Sequence, residues 1–258
     1  MMLNNNDTVM LLQPSTLEEA FKQAELIGRV SHRSEDRITE DSYNTFLAKM
    51  EKLEHFSTLE FAPMYLKLKL NPKNYKIYKQ FKYDPYSYAC IHGCGIYIST
   101  NYRVLVNKKL KYLTEYWVAP TKYHKPRTTF KSNTSIKVSR EFNRHRKLSP
   151  LEESTRYCNY SENGNLGMKF CPPTKLAEDE KYNEIMKPLR EHCEIVYNHL
   201  IDAGYKAEDA SNALLLETST TVYHSGYNED WEHFLSLRDT TSAYHGIREL
   251  AKKIKESL

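Results

Sequence analysis

Arg144-His145-Arg146-Lys147-Leu148-Ser149-Pro150-Leu151-Glu152-Glu153-Ser154-Thr155-Arg156-Tyr157 brings three arginines, a histidine, two acids and three aliphatic hydroxyls into one short stretch. On a helix, Arg144 and Arg146 would stand about 200° apart and reach toward opposite sides. Such a pair can hold two different anions. A guanidinium is always charged and forks onto phosphate or onto the carbonyl edge of a planar ring. Ser154 and Thr155 add hydroxyl and backbone donors, and Arg156 adds a third fork. The competing reading is a salt-bridged helix and turn, with Glu152 and Glu153 neutralising the arginines. The residues alone leave both readings open.

Working outward, the stretch sits in a basic region. From Lys122 to Lys147, nine Lys and Arg residues face a single acid, Glu141. A local cation excess of this kind suits an anionic partner, phosphate above all. Alternation predicts a strand over Thr128–Val138, with Phe130, Ile136 and Val138 on one parity, running into a short helix over Ser139–Arg146. Upstream, Ser15 with Glu18 reads as a capping box before Leu17, Ala20, Phe21, Ala24 and Ile27 at helical spacing. A second helix is predicted over Asp41–Leu53. Met64, Leu66, Leu68 and Leu70 then alternate with Tyr65, Lys67 and Lys69 as a half-buried strand. Residues 71–90 read as an excursion from the core, followed by a short strand over Ile96–Ser99 and a helix over Tyr102–Leu113.

Downstream, residues 158–178 read as a loop with a turn at Asn163-Gly164 and a Pro172-Pro173 break. A long helix over Glu178–Ala203 carries Ile185, Leu189, Val196, Leu200 and Ile201, and Gly204 stops it. Helices over Glu229–Leu237 and Ser242–Glu256 complete the chain. Helices mixed with strands in no regular alternation predict an α+β class and one domain.

The composition fits an ordinary globular protein: 258 residues, 40% hydrophobic, 27% charged, net charge +4. Of the twenty tyrosines, many lie between Tyr65 and Tyr123 among Lys and Asn. That mixture suits a nucleic-acid stacking surface, but the amphipathic side of a sheet or of a subunit interface is the commoner cause, and no nucleic-acid partner is expected. Five cysteines, none in a Cys-x-x-Cys pair, read as reduced thiols. Cys90-Ile-His92-Gly-Cys94 is too compact, without a second cluster, to predict a metal site. The first residues show no basic segment followed by an apolar core, and no apolar run approaches the roughly 20 residues of a membrane span. A soluble, cytoplasmic protein is expected.

Arg144-His145-Arg146 followed by seven residues and Ser154 resembles the signature of flavin-dependent thymidylate synthases, and Glu152-Glu153-Ser154-Thr155-Arg156-Tyr157 resembles its extension in longer bacterial and phage members. Three more segments match in the same order. Gly28-Arg29-Val30-Ser31 resembles Ala-Arg-Val-Ser, His55-Phe-Ser57-Thr-Leu-Glu60 resembles His-Glu-Thr-Pro-Phe-Glu, and Phe234-Leu-Ser-Leu237-Arg238 resembles Phe-Leu-Asn-Leu-Arg. The likeness covers roughly residues 24–70 and 127–252; a tyrosine-rich insert at about 71–125 is less covered.

The resemblance implies an antiparallel sheet with packed helices, and a homotetramer with active sites at subunit junctions. It implies FAD, with NADPH and methylenetetrahydrofolate as co-substrates, converting dUMP to dTMP without a cysteine nucleophile. Residue by residue, Ser57, Arg144, His145, Arg146, Glu152, His233 and His55 would contact FAD. Glu141, Arg144, Ser154, Thr155, Arg156 and Arg238 would hold the nucleotide. Arg238 would be catalytic, stabilising negative charge on the uracil ring. Two segments depart from the pattern. Ala-Arg-x-x-Leu-Pro is Ala210-Ser211-Asn212-Ala-Leu-Leu215 here, and Asn-x-Arg is Tyr227-Asn228-Glu229. A related enzyme acting on another pyrimidine nucleotide, or a non-catalytic nucleotide- or nucleic-acid-binding relative, stays open.

Overall fold

The computed structural model describes residues 7–161 and 167–258; the turn predicted at Asn163-Gly164 lies outside them. The chain opens with strand β1 (Thr8–Met10) and helix α1 (Leu17–Val30). The cap of α1 sits one residue later than predicted: the Thr16 side chain accepts from the Glu19 amide, and the Glu19 carboxylate takes the amide and hydroxyl of Ser15. Glu18 instead pairs with Lys22. Next come α2 (Ser42–Lys52), the single turn α3 (Phe56–Leu59), β2 (Pro63–Lys69), α4 (Pro72–Lys82), β3 (Tyr88–His92), β4 (Gly95–Asn101) and α5 (Tyr102–Asn107).

Residues 71–90 are therefore no excursion. Asn71 caps α4 by accepting from Asn74, Pro72 stands in its first turn, and Ile77, Tyr78 and Phe81 bury one face. Strand β3 pairs with β4, and β4 with β2, in an antiparallel three-stranded sheet of order β2-β4-β3. Helix α5 ends early, at Asn107, because the chain reverses through Lys109 at φ +58 before a 3-10 turn over Lys111–Tyr116.

The second half holds β5 (Arg127–Ser135), α6 (Ile136–Phe142), β6 (Ser149–Glu152), α7 (Thr174–Ala177), α8 (Glu180–Asp202), α9 (Ala207–Ala210), β7 (Ser219–Tyr227), α10 (Asn228–Arg238) and α11 (His245–Ser257). Its sheet is antiparallel with order β1-β5-β7-β6. Here too a boundary moves. The predicted strand stops at Ser135, opposite Ser219 where β7 begins, so ladder partners run out. The Ser135 hydroxyl then accepts from the Val138 amide, and Ile136 and Val138 belong to a helix. That helix ends at Phe142, so Arg144 and Arg146 lie in the turn between α6 and β6, not on a helix. The loop predicted at 158–178 contains α7 at its end. The observed class is α+β, with antiparallel sheets and packed helices.

Among the described residues, three apolar clusters hold these layers. The first lies between α1, α2, α3 and the three-stranded sheet. The second packs α6, α10 and α11 on Phe130 and Val222 of the larger sheet, with Trp231 fully buried and its indole donating to the Thr128 carbonyl at 3.2 Å. The third gathers Cys158, Tyr160, Phe170 and Tyr197 around α8. Within α8 the buried residues are Arg190, Cys193 and Tyr197, whereas Ile185 and Leu189, predicted to face the core, are exposed. Gly28 lies where α1 crosses α2: a Cβ there would come within 2.7 Å of the Phe46 ring and would press on Thr58 as well. Gly28→Ala is therefore expected to destabilise by about 1–3 kcal/mol through overpacking, read as a lower denaturant midpoint at unchanged slope.

Candidate active site

The topology brings several chain ends together at one edge of the larger sheet. Strand β5 begins there at Arg127, β6 begins at Ser149, and β7 ends at Tyr227 and feeds α10. The turn carrying Arg144, His145 and Arg146 lies between α6 and β6, so it meets the C-terminal end of α10. Arg238 Nε donates to His145 Nε2 at 2.9 Å, and its Nη1 donates to the Glu141 carboxylate at 3.2 Å. Its Nη2 lies 3.4 Å from the Glu141 carbonyl. Burial, then the Arg238 charge, and then His233 and Arg144 push the His145 imidazole down to about 4. It is therefore neutral at pH 7. Since Nε2 accepts, Nδ1 carries the proton. The His145 ring also meets Phe234 edge-on at 4.9 Å, which fixes its plane. Arg144 and His233 are exposed beside this group, and Arg144 has no ion pair among the described residues.

Glu152 and Glu153 do not neutralise these arginines. Glu152 accepts from Ser139 (2.7 Å), Asn143 (2.9 Å) and Thr220 (3.1 Å). Glu153, 5% exposed, pairs with Arg33 instead; burial still raises its pKa against the pull of that guanidinium. The salt-bridged reading of the motif fails on geometry, and the cations of the turn are left available to an anion.

A cavity of about 430 Å³ lies beside α6 and is lined by Ser139, Arg140, Glu152, Ser154, Thr155, Arg156, Ser211 and Asn212. Ser154 is anchored by its amide donating to the Ser31 carbonyl at 3.2 Å, and its hydroxyl accepts from the Arg156 amide at 3.3 Å. Arg156 is exposed and loosely paired with Glu208 at 3.5 Å. Ser211 and Asn212 occupy the wall where the resemblance expects an arginine, so Arg140 and Arg156 are the cations that line it. No hydrogen bond or ion pair among the described residues joins Ser154, Thr155 or Arg156 directly to Arg144, His145 or Arg238. His55 and Ser57 are exposed at the start of α3, and no hydrogen bond or ion pair among the described residues joins them to either group; His32, whose pKa is lowered by burial and then by His55 and Lys49, stacks on Tyr157 at 4.3 Å. Cys158 is buried and its thiol is pushed up to about 11 by desolvation, which suits packing and not nucleophilic attack.

Arg146 lines a further cleft of about 450 Å³, with Lys125, Arg127, Lys147, Tyr227, Glu229 and Asp230 on one side and Pro85–Tyr88 on the other. Sequence reasoning missed Lys125 and Arg127 as members of it; the basic run beginning at Lys122 was their only sign. Among the described residues no group of three or more His, Cys, Asp or Glu converges on a metal site, and no helix is long and apolar enough to cross a membrane.

Comparison with known proteins bears on this geometry. Residues 99–258, more than half the chain, match the model of the thymidylate synthase complementing protein family, and the matched region contains every element of the larger sheet from β5 onward. The chain belongs to this family. A flavin-dependent thymidylate synthase of Geobacter sulfurreducens is 28% identical over 114 residues, which are 44% of this chain and 48% of that protein. A probable flavin-dependent thymidylate synthase of Mycobacterium phage D29 is 30% identical over 141 residues, 50% of this chain and 59% of the phage protein. One from Paramecium bursaria Chlorella virus 1 is 27% identical over 139 residues, 50% of this chain and 64% of that protein. The chain thus spans about half to two thirds of the length of these relatives. The family match includes the turn with Arg144, the cavity residues Ser154–Arg156 and the end of α10 with Arg238.

Proposed function

We propose that this protein is a flavin-dependent thymidylate synthase that reductively methylates dUMP to dTMP, with methylenetetrahydrofolate as the one-carbon donor and NADPH as the reductant, through FAD. One observation carries the reading: the Arg-His-Arg turn and the Phe234–Arg238 segment, 93 positions apart, dock so that Arg238 donates to a neutral His145. All three nitrogens of the Arg238 guanidinium are engaged, on His145 and on the carboxylate and carbonyl of Glu141, which leaves one N–H on each of Nη1 and Nη2 for a ring carbonyl. There it would stabilise negative charge as it develops on the uracil. Arg144, Ser154, Thr155 and Arg156 would bind the nucleotide, with Glu141 orienting Arg238. His55, Ser57, Arg144, His145, Arg146, Glu152 and His233 are the residues proposed to face FAD.

The donor set fits a phosphate-bearing cofactor: Arg127 is 4% exposed, yet its Nε has no partner among the described residues, and it lines the cleft with Lys125, Arg146 and Lys147. Bound flavin would supply the hydride and relay the one-carbon unit. The nucleotide cavity and the Arg238 group meet on α6, where Arg140 lines the cavity and Glu141 accepts from Arg238; a homotetramer with sites completed between copies, as the resemblance implies, is part of the reading. Ser211 and Asn212 in the cavity wall favour a second reading, a related enzyme acting on another pyrimidine nucleotide.

The reconstituted protein is expected to show flavin absorption and to run as an oligomer; a monomer unable to retain FAD would sink the reading. Arg144→Ala and Arg156→Ala are each expected to weaken dUMP binding by about 1.5–3 kcal/mol, the scale of a charge-assisted hydrogen bond. Dissociation constants compared at one salt concentration decide it, since exposed charges are screened. A variant that binds dUMP like the parent removes that arginine from the site.

A further inference from the structure

Helix α4 carries a charged surface that the proposed reaction does not use. Between Asn71 and Lys125 the chain holds ten Lys and Arg against two acids, Asp84 and Glu115, in a protein whose net charge is only +4. Several of these cations are neutralised: Arg103 by Glu60, Lys108 by Asp84, Lys111 by Glu51 and Lys125 by Glu229. Lys73, Lys76, Lys79 and Lys82 have no ion pair among the described residues, and α4 itself contains no acid. Asp84, just past the helix, is engaged by Lys108, the Ser87 hydroxyl and the Tyr86 amide.

A helix turns about 100° per residue, which sets Tyr75, Lys76, Lys79 and the C-cap residue Tyr83 opposite the buried Ile77, Tyr78 and Phe81. All four are exposed, Tyr75 by 42% and Tyr83 by 79%. Lys79 lies 5.2 Å from the centre of the Tyr75 ring, and Lys82 lies 5.8 Å from that of Tyr83. The sequence favours a sheet or subunit interface for the tyrosines of this region, and Tyr65, Tyr78, Tyr97 and Tyr102 are buried. Tyr75 and Tyr83 instead stand in solvent among unpaired lysines.

Open rings and ammonium groups along one face suit a strand whose bases are unstacked: lysines follow the phosphates and rings take the bases. A duplex keeps its bases stacked on one another and would use the lysines alone. A lipid surface needs an apolar helix face to insert, and that of α4 already packs in the core with Ile96 and Ile98. We propose that the outward face of α4 binds single-stranded nucleic acid, with Lys76, Lys79 and Lys82 on phosphates and Tyr75 and Tyr83 stacked on bases. This departs from the expectation of no nucleic-acid partner. The helix lies before residue 99, outside the family match, so the proposal stands or falls apart from the flavin reading.

The experiment is titration of the whole protein with labelled oligodeoxyadenylate, which has no pyrimidine for the nucleotide cavity, beside a duplex of equal length and poly-glutamate. The single strand is expected to bind more tightly than the duplex. Tyr83→Ala is expected to weaken the single strand about tenfold, the effect of one lost base stack, and to leave poly-glutamate unmoved. Lys79→Ala is expected to weaken both and to lower the salt slope of oligonucleotide binding by about 0.7, one phosphate contact. Both side chains are exposed, so denaturant midpoints near the parent's are expected for each variant. Oligonucleotide binding that survives both substitutions, or that fails in the parent, overturns the proposal. So does a duplex bound as tightly as the single strand with Tyr83→Ala without effect. Binding to phosphatidylserine vesicles in place of the oligonucleotide would assign the face to a lipid surface. A smaller assembly for Tyr83→Ala by light scattering would assign it to a contact between copies, and either result overturns the nucleic-acid reading.

Discussion

Arg238→Lys is expected to lower turnover of the proposed reaction by about 10²-fold or more, with little loss of stability. The guanidinium is fixed before substrate arrives: Nε on His145, Nη1 on the Glu141 carboxylate, and the side chain 18% exposed at the end of α10. Its remaining N–H groups can meet a ring carbonyl without reorganisation, and the interaction strengthens as negative charge develops. Lysine keeps the charge but has one tetrahedral head in place of a planar fork, so it cannot hold His145, Glu141 and a carbonyl together. The stability cost is small because the pair with Glu141 is partly exposed. Tritium release from dUMP labelled at carbon 5 measures the step in question. A lysine variant matching the parent would remove Arg238 from the chemistry. A parent that releases no tritium but oxidises NADPH with another pyrimidine nucleotide would shift the reading to the related enzyme.

The motif from Arg144 to Tyr157 was legible because its residues are contiguous; what they touch was not. His145 and Arg238 are 93 positions apart and meet only because α10 returns along the larger sheet. Nothing local announces that Arg33 takes Glu153, or that Glu152 turns to hydroxyls. The same holds for elements. Ile136 and Val138 continue a β-like pattern, but the ladder ends when β7 begins at Ser219, and Ser135 caps a helix instead. In α8 the apolar pattern pointed Ile185 and Leu189 inward, yet Arg190 is drawn in by Glu217, with Nε and Nη2 at 2.9 and 2.7 Å. An ion pair reached from another segment thus turned the helix against its own hydrophobic signal. Helix α4 carried its signals openly in Asn71 and Pro72, but the lysine-rich composition around them hid a short apolar face.

His224 is expected to make the protein lose stability in acid, by about 2 kcal/mol at pH 5 from this residue alone. It lies on β7, fully buried, with its ring stacked on Phe142 at 3.5 Å between centroids and neither ring nitrogen hydrogen-bonded among the described residues. Burial, reinforced by the neighbouring His145, pushes its pKa down to about 3, against about 6.5 in an unfolded chain. Above pH 6.5 both states hold the ring neutral and the contribution is constant. As pH falls below 6.5 the unfolded state binds a proton that the folded state refuses, so stability falls by about 1.4 kcal/mol per unit until the buried ring itself titrates near 3. His224→Leu removes the titration together with the two unpaired nitrogens. Any packing change that leucine introduces shifts stability equally at all pH values, so the informative quantity is the gap between variant and parent. That gap is expected to widen in favour of the variant by about 2 kcal/mol between pH 8 and pH 5, read from urea midpoints at each pH. His145 adds acid sensitivity of the same sign, but it is present in both proteins and largely cancels from the gap. A gap independent of pH would mean that His224 gains its proton in the folded protein as readily as in the unfolded one, and that the ring is not sealed between Phe142 and the sheet.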